Sequence, residues 1–156
     1  MERVPITPKG FQALKDELGR LKAEMPKISQ EIGVAREHGD LKENAEYHAA
    51  KEKQGLTAAR IAEIEDRIAR AQVIDPTELS GERIKFGATV ELEEIDSGKA
   101  VTYQIVGADE ADIKEGTISV TSPVARALIG REVGDEVKVK APGGVRTYEV
   151  VDVRWA

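Results

Sequence analysis

The feature of this sequence that most constrains its fold is a pair of heptad patterns separated by a short charged segment. Between residues 11 and 35, apolar residues recur alternately three and four positions apart, which is typical of the seam of a coiled-coil helix. The seam residues are Phe11, Leu14, Leu18, Leu21, Met25, Ile28, Ile32 and Ala35. The same alternation returns at Tyr47, Ala50, Gln54, Thr57, Ile61, Ile64, Ile68 and Ala71. Two such helices joined by a turn at residues 38–40 are predicted to fold back antiparallel, because each seam is then buried against the other.

The ends of both helices are also visible in the sequence. Thr7 followed by Pro8 is typical of a helix start, because threonine caps free amide groups and proline tolerates the first helical position. Pro26 removes one backbone hydrogen bond inside the first helix, so we expect a local bend there, with the helix continuing beyond it. The second helix is predicted to run from about Lys42 to Ala71.

After a linker that begins near residue 76, the periodicity changes from helical to alternating. Strands are predicted over residues 89–92, 101–106, 117–120, 137–139 and 147–153, where β-branched residues recur at every second position. The segment from Ala141 to Gly144 predicts a turn between the last two strands. One short helix is predicted at 122–130, capped by Ser122 and closed by Gly130.

These patterns predict an α+β protein with two domains. Residues 1–76 would form an antiparallel α-helical coiled-coil hairpin, and residues 77–156 would form a small antiparallel sheet with one short helix. The 156 residues include no cysteine, which excludes a disulfide framework and a thiol nucleophile. Neither half of the chain is basic, so direct binding of nucleic acid through phosphate contacts is not favoured. The sequence shows no signal peptide or membrane span, and we expect a cytoplasmic protein without membrane contact.

Two acids in the charged segment between the seams have a spacing that suits a metal site. Asp40 and Glu43 lie three residues apart, so both carboxylates can point from one side of a helical turn. Such a pair can share Mg²⁺, which commonly takes one or two protein carboxylates and leaves its other positions to water and phosphates. In a two-metal reaction, that ion would activate a water for attack on a phosphodiester. Alternatively, the acids only cap the helix and favour its dipole, and the spacing alone leaves both interpretations open.

Other charged residues near this turn can likewise be interpreted as functional or as purely structural. His38 and His48 lack the helical spacing of zinc-binding pairs, so we expect a solvated side chain and a helix-surface side chain. Four cations could contact a phosphate near the turn, or could instead be intrahelical partners of Glu46 and Glu52. They are Arg36, Lys42, Lys51 and Lys53.

The segment EHGDLKENAEYHAAKE, residues 37–52, closely resembles the signature of the GreA/GreB family of bacterial transcript cleavage factors. The resemblance covers the whole chain and is closer to the GreA branch. It extends through IGVAREHGDLKENAEYHAAKEKQG, AQVID, FGATVELEEIDSG, DEADIKEGTISVTSPVARALIGREVGDEV and APGGVRTYEVVDV. It implies an N-terminal antiparallel coiled coil and a C-terminal domain resembling the FK506-binding proteins.

The resemblance also implies a function. A family member docks its C-terminal domain on RNA polymerase at the rim of the secondary channel, and its coiled coil enters that channel. Asp40 and Glu43 would then help to hold a Mg²⁺ ion shared with the polymerase active centre, where the polymerase cleaves its own backtracked RNA. The chain would be an accessory factor and not an enzyme, and we expect a monomer. Both acids are present, unlike in inhibitory relatives with altered tips; Glu37 and Glu46 would have positioning or capping roles.

The residues that dock on the polymerase are a separate hypothesis. We place them around Ser122, Pro123 and Arg126, because an exposed Ser-Pro helix start offers free amides and one cation. The alternative is that this segment is only a capped structural turn.

Other functions compete with this interpretation. A peptidyl-prolyl isomerase or chaperone in residues 77–156 rests on fold analogy alone, and a 4% aromatic content argues against its hydrophobic pocket. A structural adaptor would need unpaired apolar surface on the coiled coil, which an antiparallel hairpin already buries. An inhibitor that occupies the channel without supporting cleavage is separated from a cleavage factor only by an activity assay.

Overall fold

The computed structural model describes residues 2–39 and 44–155, which group into two compact units. The first, unit 1, contains residues 11–71. The second, unit 2, combines residues 3–10 with the chain from residue 72 onward. The separation of residues 1–76 from residues 77–156 as domains remains a prediction.

Two long helices form unit 1. Helix α1 spans Pro8–Arg36 and helix α2 spans Ala45–Arg70, and α1 continues through Pro26 as the heptad pattern predicts. All the predicted seam residues are buried or half-buried, with Ile28 and Ile64 almost completely inaccessible. The apolar seam therefore explains why these two segments form one hairpin.

The direction of the two helices follows from their contacts. Near the turn, Ile28 and Ile32 of α1 form a buried cluster with Ala50 of α2, and Met25 and Tyr47 pack against it. Far from the turn, Glu17 in the first half of α1 is paired with Arg60 in the second half of α2. Early residues of α1 thus contact late residues of α2, and the predicted antiparallel hairpin is confirmed.

The start of α2 corrects the sequence prediction. Asn44 has extended backbone angles, φ −81° and ψ 97°, so α2 begins at Ala45 and not near Lys42. The side chain of Asn44 accepts a hydrogen bond from the Tyr47 N–H, which supplies the N-cap. At the other end, Ala71 leaves the helix because it begins a short strand.

The described residues of unit 2, together with Ala71 at its boundary, form seven strands and one α-helix. The strands are β1 (Val4–Ile6), β2 (Ala71–Val73), β3 (Thr89–Glu94), β4 (Ala100–Val106), β5 (Thr117–Ser119), β6 (Glu136–Ala141) and β7 (Gly144–Arg154), and the helix is α3 (Pro123–Leu128). β1 and β2 form a two-stranded sheet, and the others form a five-stranded sheet in the order β5-β4-β3-β7-β6. Short 3₁₀ turns occur at Pro76–Glu78 and Ile113–Glu115. The five predicted strands are therefore present, whereas β1 and β2 were not predicted.

The α+β class is confirmed, with one correction to the sheet. β4 and β5 run parallel, with Ile105 opposite Ile118, so the sheet is mixed and not purely antiparallel. A tight hairpin would force antiparallel pairing, but the connection here runs over residues 107–116. It includes the Ile113–Glu115 turn and Gly116, whose φ of 79° suits glycine. This longer connection returns the chain to the same direction.

The core of unit 2 lies between α3 and one face of the five-stranded sheet. Ala125 and Leu128 of α3 are completely buried, together with sheet residues that include Val90, Leu92 and Ile105. Ser122 caps α3 as predicted, since its Oγ accepts a hydrogen bond from the Ala125 N–H at 3.2 Å. In the part of the chain that the structure describes, no helix is long and apolar enough to cross a membrane.

Candidate functional site

The two predicted metal-binding acids, Asp40 and Glu43, lie outside the described residues. The structure describes the chain on both sides of them, up to Gly39 and again from Asn44. The candidate site is therefore built from the residues that flank these acids at the end of the hairpin. We call residues 36–39 and 44–48 the tip flanks.

The first tip flank is the end of α1. After Arg36, the Glu37 N–H donates to the Val34 carbonyl at 3.1 Å, and the His38 N–H donates to the Ala35 carbonyl at 3.2 Å. Gly39 has a φ of 112°, a left-handed conformation that favours glycine. The predicted turn thus begins directly after the last helical turn of α1.

The second tip flank starts at Asn44, whose side chain contacts both helices. Its Oδ1 accepts a hydrogen bond from the Tyr47 N–H at 3.0 Å, and its Nδ2 donates to the Ala35 carbonyl at 2.6 Å. One half-buried amide therefore joins the end of α1 to the beginning of α2 across nine residues of sequence. Sequence reasoning missed this residue, although asparagine is among the preferred N-cap types.

Aromatic contacts add to this connection. The guanidinium of Arg36 lies 5.8 Å from the centre of the Tyr47 ring, within the range of a cation–π interaction. The Tyr47 ring meets the His48 ring edge to face at 5.5 Å. His38 and His48 are both exposed, as predicted. Arg36, which was considered for phosphate contact, is thus placed against an aromatic ring.

The other predicted cations have mixed outcomes. Lys53 has an ion-pair partner on the opposite helix, since its Nζ lies 3.9 Å from a carboxylate oxygen of Glu31, and not the intrahelical partner that was one of the two alternatives. Lys51 does bond within α2, at 3.5 Å from the Gln54 side-chain oxygen. Lys42 lies outside the described residues. Lys51 and Lys53 therefore both have local partners, and the carboxylate of Glu31 offsets part of the charge of Lys53.

An open groove of about 630 Å³ lies on the hairpin near the tip flanks. Its walls are formed by Lys27–Ala35 of α1 and Glu46–Lys53 of α2, and the half-exposed Val34 lies within it. Two lysines and two glutamates line it, so the groove has no net charge that would select an ionic ligand.

A bidentate ion pair between the two helices lies farther along the hairpin. Arg60 donates to both carboxylate oxygens of Glu17, at 3.0 and 2.9 Å. This hydrogen bonding lowers the pKa of Glu17 below its ordinary value, although burial acts in the opposite direction. The same bond raises the pKa of Arg60. This bidentate pair holds the two helices together away from the turn.

The predicted docking residues lie together on α3 and its N-cap, Ser122. Pro123 and Arg126 are exposed, whereas Ser122 is half-buried and its hydroxyl is occupied by the N-cap. One of the amides that the sequence suggested as free is thus bonded to Ser122. The exposed surface here includes the Pro123 ring, the Arg126 side chain and the neighbouring Ile129, which is 40% exposed.

No three histidine or acidic side chains within residues 2–39 and 44–155 are grouped closely enough to hold a metal ion. Asp40 and Glu43, between the tip flanks, remain the predicted metal ligands. Their donor chemistry fits Mg²⁺, since carboxylate oxygens are the hard ligands that this ion takes from proteins.

Both halves of the chain match known protein families. Residues 4–73 match the family described as "Transcription elongation factor, N-terminal", and residues 79–154 match "Transcription elongation factor, GreA/GreB, C-term". Among curated proteins, the chain is 59% identical to transcription elongation factor GreA of Phenylobacterium zucineum, with 99% of both chains covered. It is 60% identical to GreA of Alkalilimnicola ehrlichii, with full coverage of both. A solved structure of GreA factor homolog 1 from Thermus thermophilus is 32% identical, covers 98% of this chain and 99% of its own, and gives a TM-score of 0.45.

Proposed function

The chain belongs to the GreA/GreB family of transcription elongation factors, and we propose that it stimulates RNA polymerase to cleave its own backtracked RNA. In this proposal the helical hairpin enters the secondary channel of the polymerase, and unit 2 docks at the rim. The chain is an accessory factor without nuclease activity of its own. It acts as a monomer in the bacterial cytoplasm, where the polymerase works.

The observation that supports this proposal best is the hairpin itself. The 29 residues of α1 correspond to a helix about 43 Å long, since each residue adds about 1.5 Å. The two helices lie antiparallel, so the turn between them is at the far end of this length from the first residues of α1. A thin helical hairpin of these dimensions is suited to entering a narrow channel and carrying side chains to a distant site.

The acids between the tip flanks supply the chemistry in this proposal. Asp40 and Glu43 would hold a Mg²⁺ ion together with groups of the polymerase and the RNA phosphate. The ion would supply charge for the developing phosphodiester transition state. The described residues would hold the ends of the acidic segment, with Asn44 closing the turn and Arg36 packing on Tyr47.

Docking through unit 2 is the second part of the proposal. Pro123 and Arg126 lie exposed on the same short helix, whose other face is buried in the core through Ala125 and Leu128. The buried face would anchor the helix on the core, so that its outer face presents an apolar ring and a cation. Arg126→Ala should weaken binding to the polymerase, whereas Arg131→Ala, also an exposed arginine of unit 2, should not. Direct binding assays with the polymerase compare the two variants.

The decisive experiment is transcript cleavage in a stalled, backtracked polymerase complex at low Mg²⁺ concentration. We expect the wild-type chain to stimulate cleavage, and Asp40→Asn or Glu43→Gln to abolish the stimulation while polymerase binding remains nearly intact. Glu52→Gln is the matched control, because it removes one exposed carboxylate from α2 away from the turn. It should stimulate cleavage like the wild type.

The possible outcomes separate the competing functions. Equal cleavage by the wild type and Asp40→Asn would remove Asp40 from the chemistry. Loss of polymerase binding in the tip variants would assign the tip to docking instead. Binding of the wild type without any stimulation of cleavage would show an inhibitor, and the absence of both would favour a structural adaptor.

A further inference from the structure

The side chain of Asn44 lies where two helix ends of opposite polarity meet. The carbonyl groups at the end of α1 give that end a partial negative charge, and the free N–H groups at the start of α2 give a partial positive charge. The amide of Asn44 directs its Nδ2 hydrogens to the Ala35 carbonyl and its Oδ1 to the Tyr47 N–H. Its dipole is thus aligned with both helix ends.

Few side chains can make both bonds at once. A serine or aspartate at this position still accepts the hydrogen bond of an N-cap, since both rank with asparagine as capping residues. Serine is too short to cap α2 and also reach the other helix. Aspartate has the length but lacks a donor, and its negative charge would face the Ala35 carbonyl. The helix cap and the connection between the helices can therefore be separated by substitution.

We propose that Asn44 is a positioning residue for the acidic segment of the tip. This inference rests on the proposed function, because it concerns the placement of Asp40 and Glu43 in the polymerase. Asn44 links the last turn of α1 to the first turn of α2, and these are the two described ends that flank residues 40–43. Arg36 and Tyr47 provide a second crossing on the same end of the hairpin.

The energetic reason is the reduction of loop freedom. A short segment whose ends are held apart at one distance has fewer conformations than the same segment between two separately moving helix ends. Two carboxylates that must bind one ion gain from this restriction, because misplacement of a catalytic group by about 1 Å can lower a rate by about 100-fold. Loss of the Asn44 connection should thus affect the cleavage step more than polymerase binding.

The test compares Asn44→Ser and Asn44→Asp with the wild type in the full-length chain. For each protein, the stimulated cleavage rate is measured over a range of factor concentrations. This gives the maximal rate and the factor concentration that produces half of it. Helix content is measured by circular dichroism. Both variants keep an N-cap acceptor, so we expect wild-type helix content and an unchanged half-saturating concentration. The maximal cleavage rate should fall about tenfold in Asn44→Ser.

Asn44→Asp should reduce the maximal rate at least as much, and extra Mg²⁺ should restore both variants only in part. A maximal rate like that of the wild type in both variants overturns the inference while the proposed function stands. A fall in maximal rate that follows a loss of helix content also overturns it, because Asn44 would then act only as a cap. If the wild-type chain does not stimulate cleavage, the proposed function fails and the inference fails with it.

Discussion

Glu110 allows a sharp test of what stabilises unit 2, because its carboxylate joins two separate stretches of backbone. Its Oε2 accepts hydrogen bonds from the N–H groups of Thr7 and Gly107, both at 2.9 Å. Its Oε1 accepts a hydrogen bond from the Thr7 hydroxyl. That hydroxyl in turn accepts from the Gly10 N–H at 3.1 Å, so Glu110 supports the cap at the start of α1. Glu110→Ala removes the acceptor for all three donors.

The expected loss of stability in Glu110→Ala follows from the burial of the groups that donate to its carboxylate. Thr7 is only 6% exposed and Gly107 is buried, so water replaces the carboxylate poorly at both. A hydrogen bond to a charged group contributes about 1.5–3 kcal/mol, but the three bonds share one acceptor group and do not add. Glu110 itself is half-buried. We therefore expect Glu110→Ala to lower the free energy of unfolding of unit 2 by about 2–4 kcal/mol.

Urea unfolding measures this loss directly. Trp155 is the only tryptophan of the chain, and it packs against the core of unit 2 and donates to the Gly81 carbonyl at 2.8 Å. Its fluorescence therefore reports unit 2, whereas the helical circular dichroism signal comes mainly from α1 and α2. The matched control is Glu115→Ala, an exposed acid of the same unit, with an expected change below about 0.5 kcal/mol. A loss below about 0.5 kcal/mol in Glu110→Ala, or an equal loss in the control, would refute the reasoning.

Two further predictions concern charge. Because the pKa of Glu17 is lowered in the folded chain, its bond with Arg60 stabilises the hairpin above the ordinary glutamate pKa, and this contribution is lost as pH falls through the lowered value. Glu17→Gln should cost up to about 1 kcal/mol at pH 7 in urea unfolding followed by circular dichroism, and this difference from the wild type should vanish in acid. In the sheet, Glu149 lies directly opposite both Glu93 and Glu136, and all three are exposed. Glu149→Lys should raise the free energy of unfolding by about 1 kcal/mol, measured by thermal unfolding, and added salt should reduce the gain.

The hairpin could be predicted from sequence because its signal is long and repetitive. Sixteen seam positions fit the spacing of two paired helices, and this long pattern outweighs the local effect of Pro26 on α1. The cap of α3 was also predictable, since Ser122-Pro123 is a local signal that needs no distant partner.

The features that were missed depend on distant partners or on single side chains. β1 and β2 are three residues each, too short for an alternating pattern to be recognised. The direction of β5 depends on the path of residues 107–116, whereas alternation in the strand is the same for parallel and antiparallel pairing. Asn44 is visible as a cap, but its bond to Ala35 exists only after the helices have paired. The hydrogen bond between Thr7 and Glu110 joins residues 103 positions apart, so no local sequence signal predicts it.

The pairing of the first strand with a segment beyond the hairpin has a consequence for the order of folding. During synthesis, residues 3–10 leave the ribosome before the segments that they pair with, since the Ile6 carbonyl accepts from the Ile74 N–H and the Thr7 N–H donates to Glu110. The hairpin between them can form early from contacts that are close in sequence. Once formed, it shortens the loop that must close between Thr7 and Glu110 from 103 residues to about 38.

Because the entropy of loop closure grows with the logarithm of loop length, this shortening lowers the cost by about 0.9 kcal/mol. The helices that we propose to enter the polymerase channel would therefore also assist folding, because pairing of α1 with α2 brings β1 close to β2.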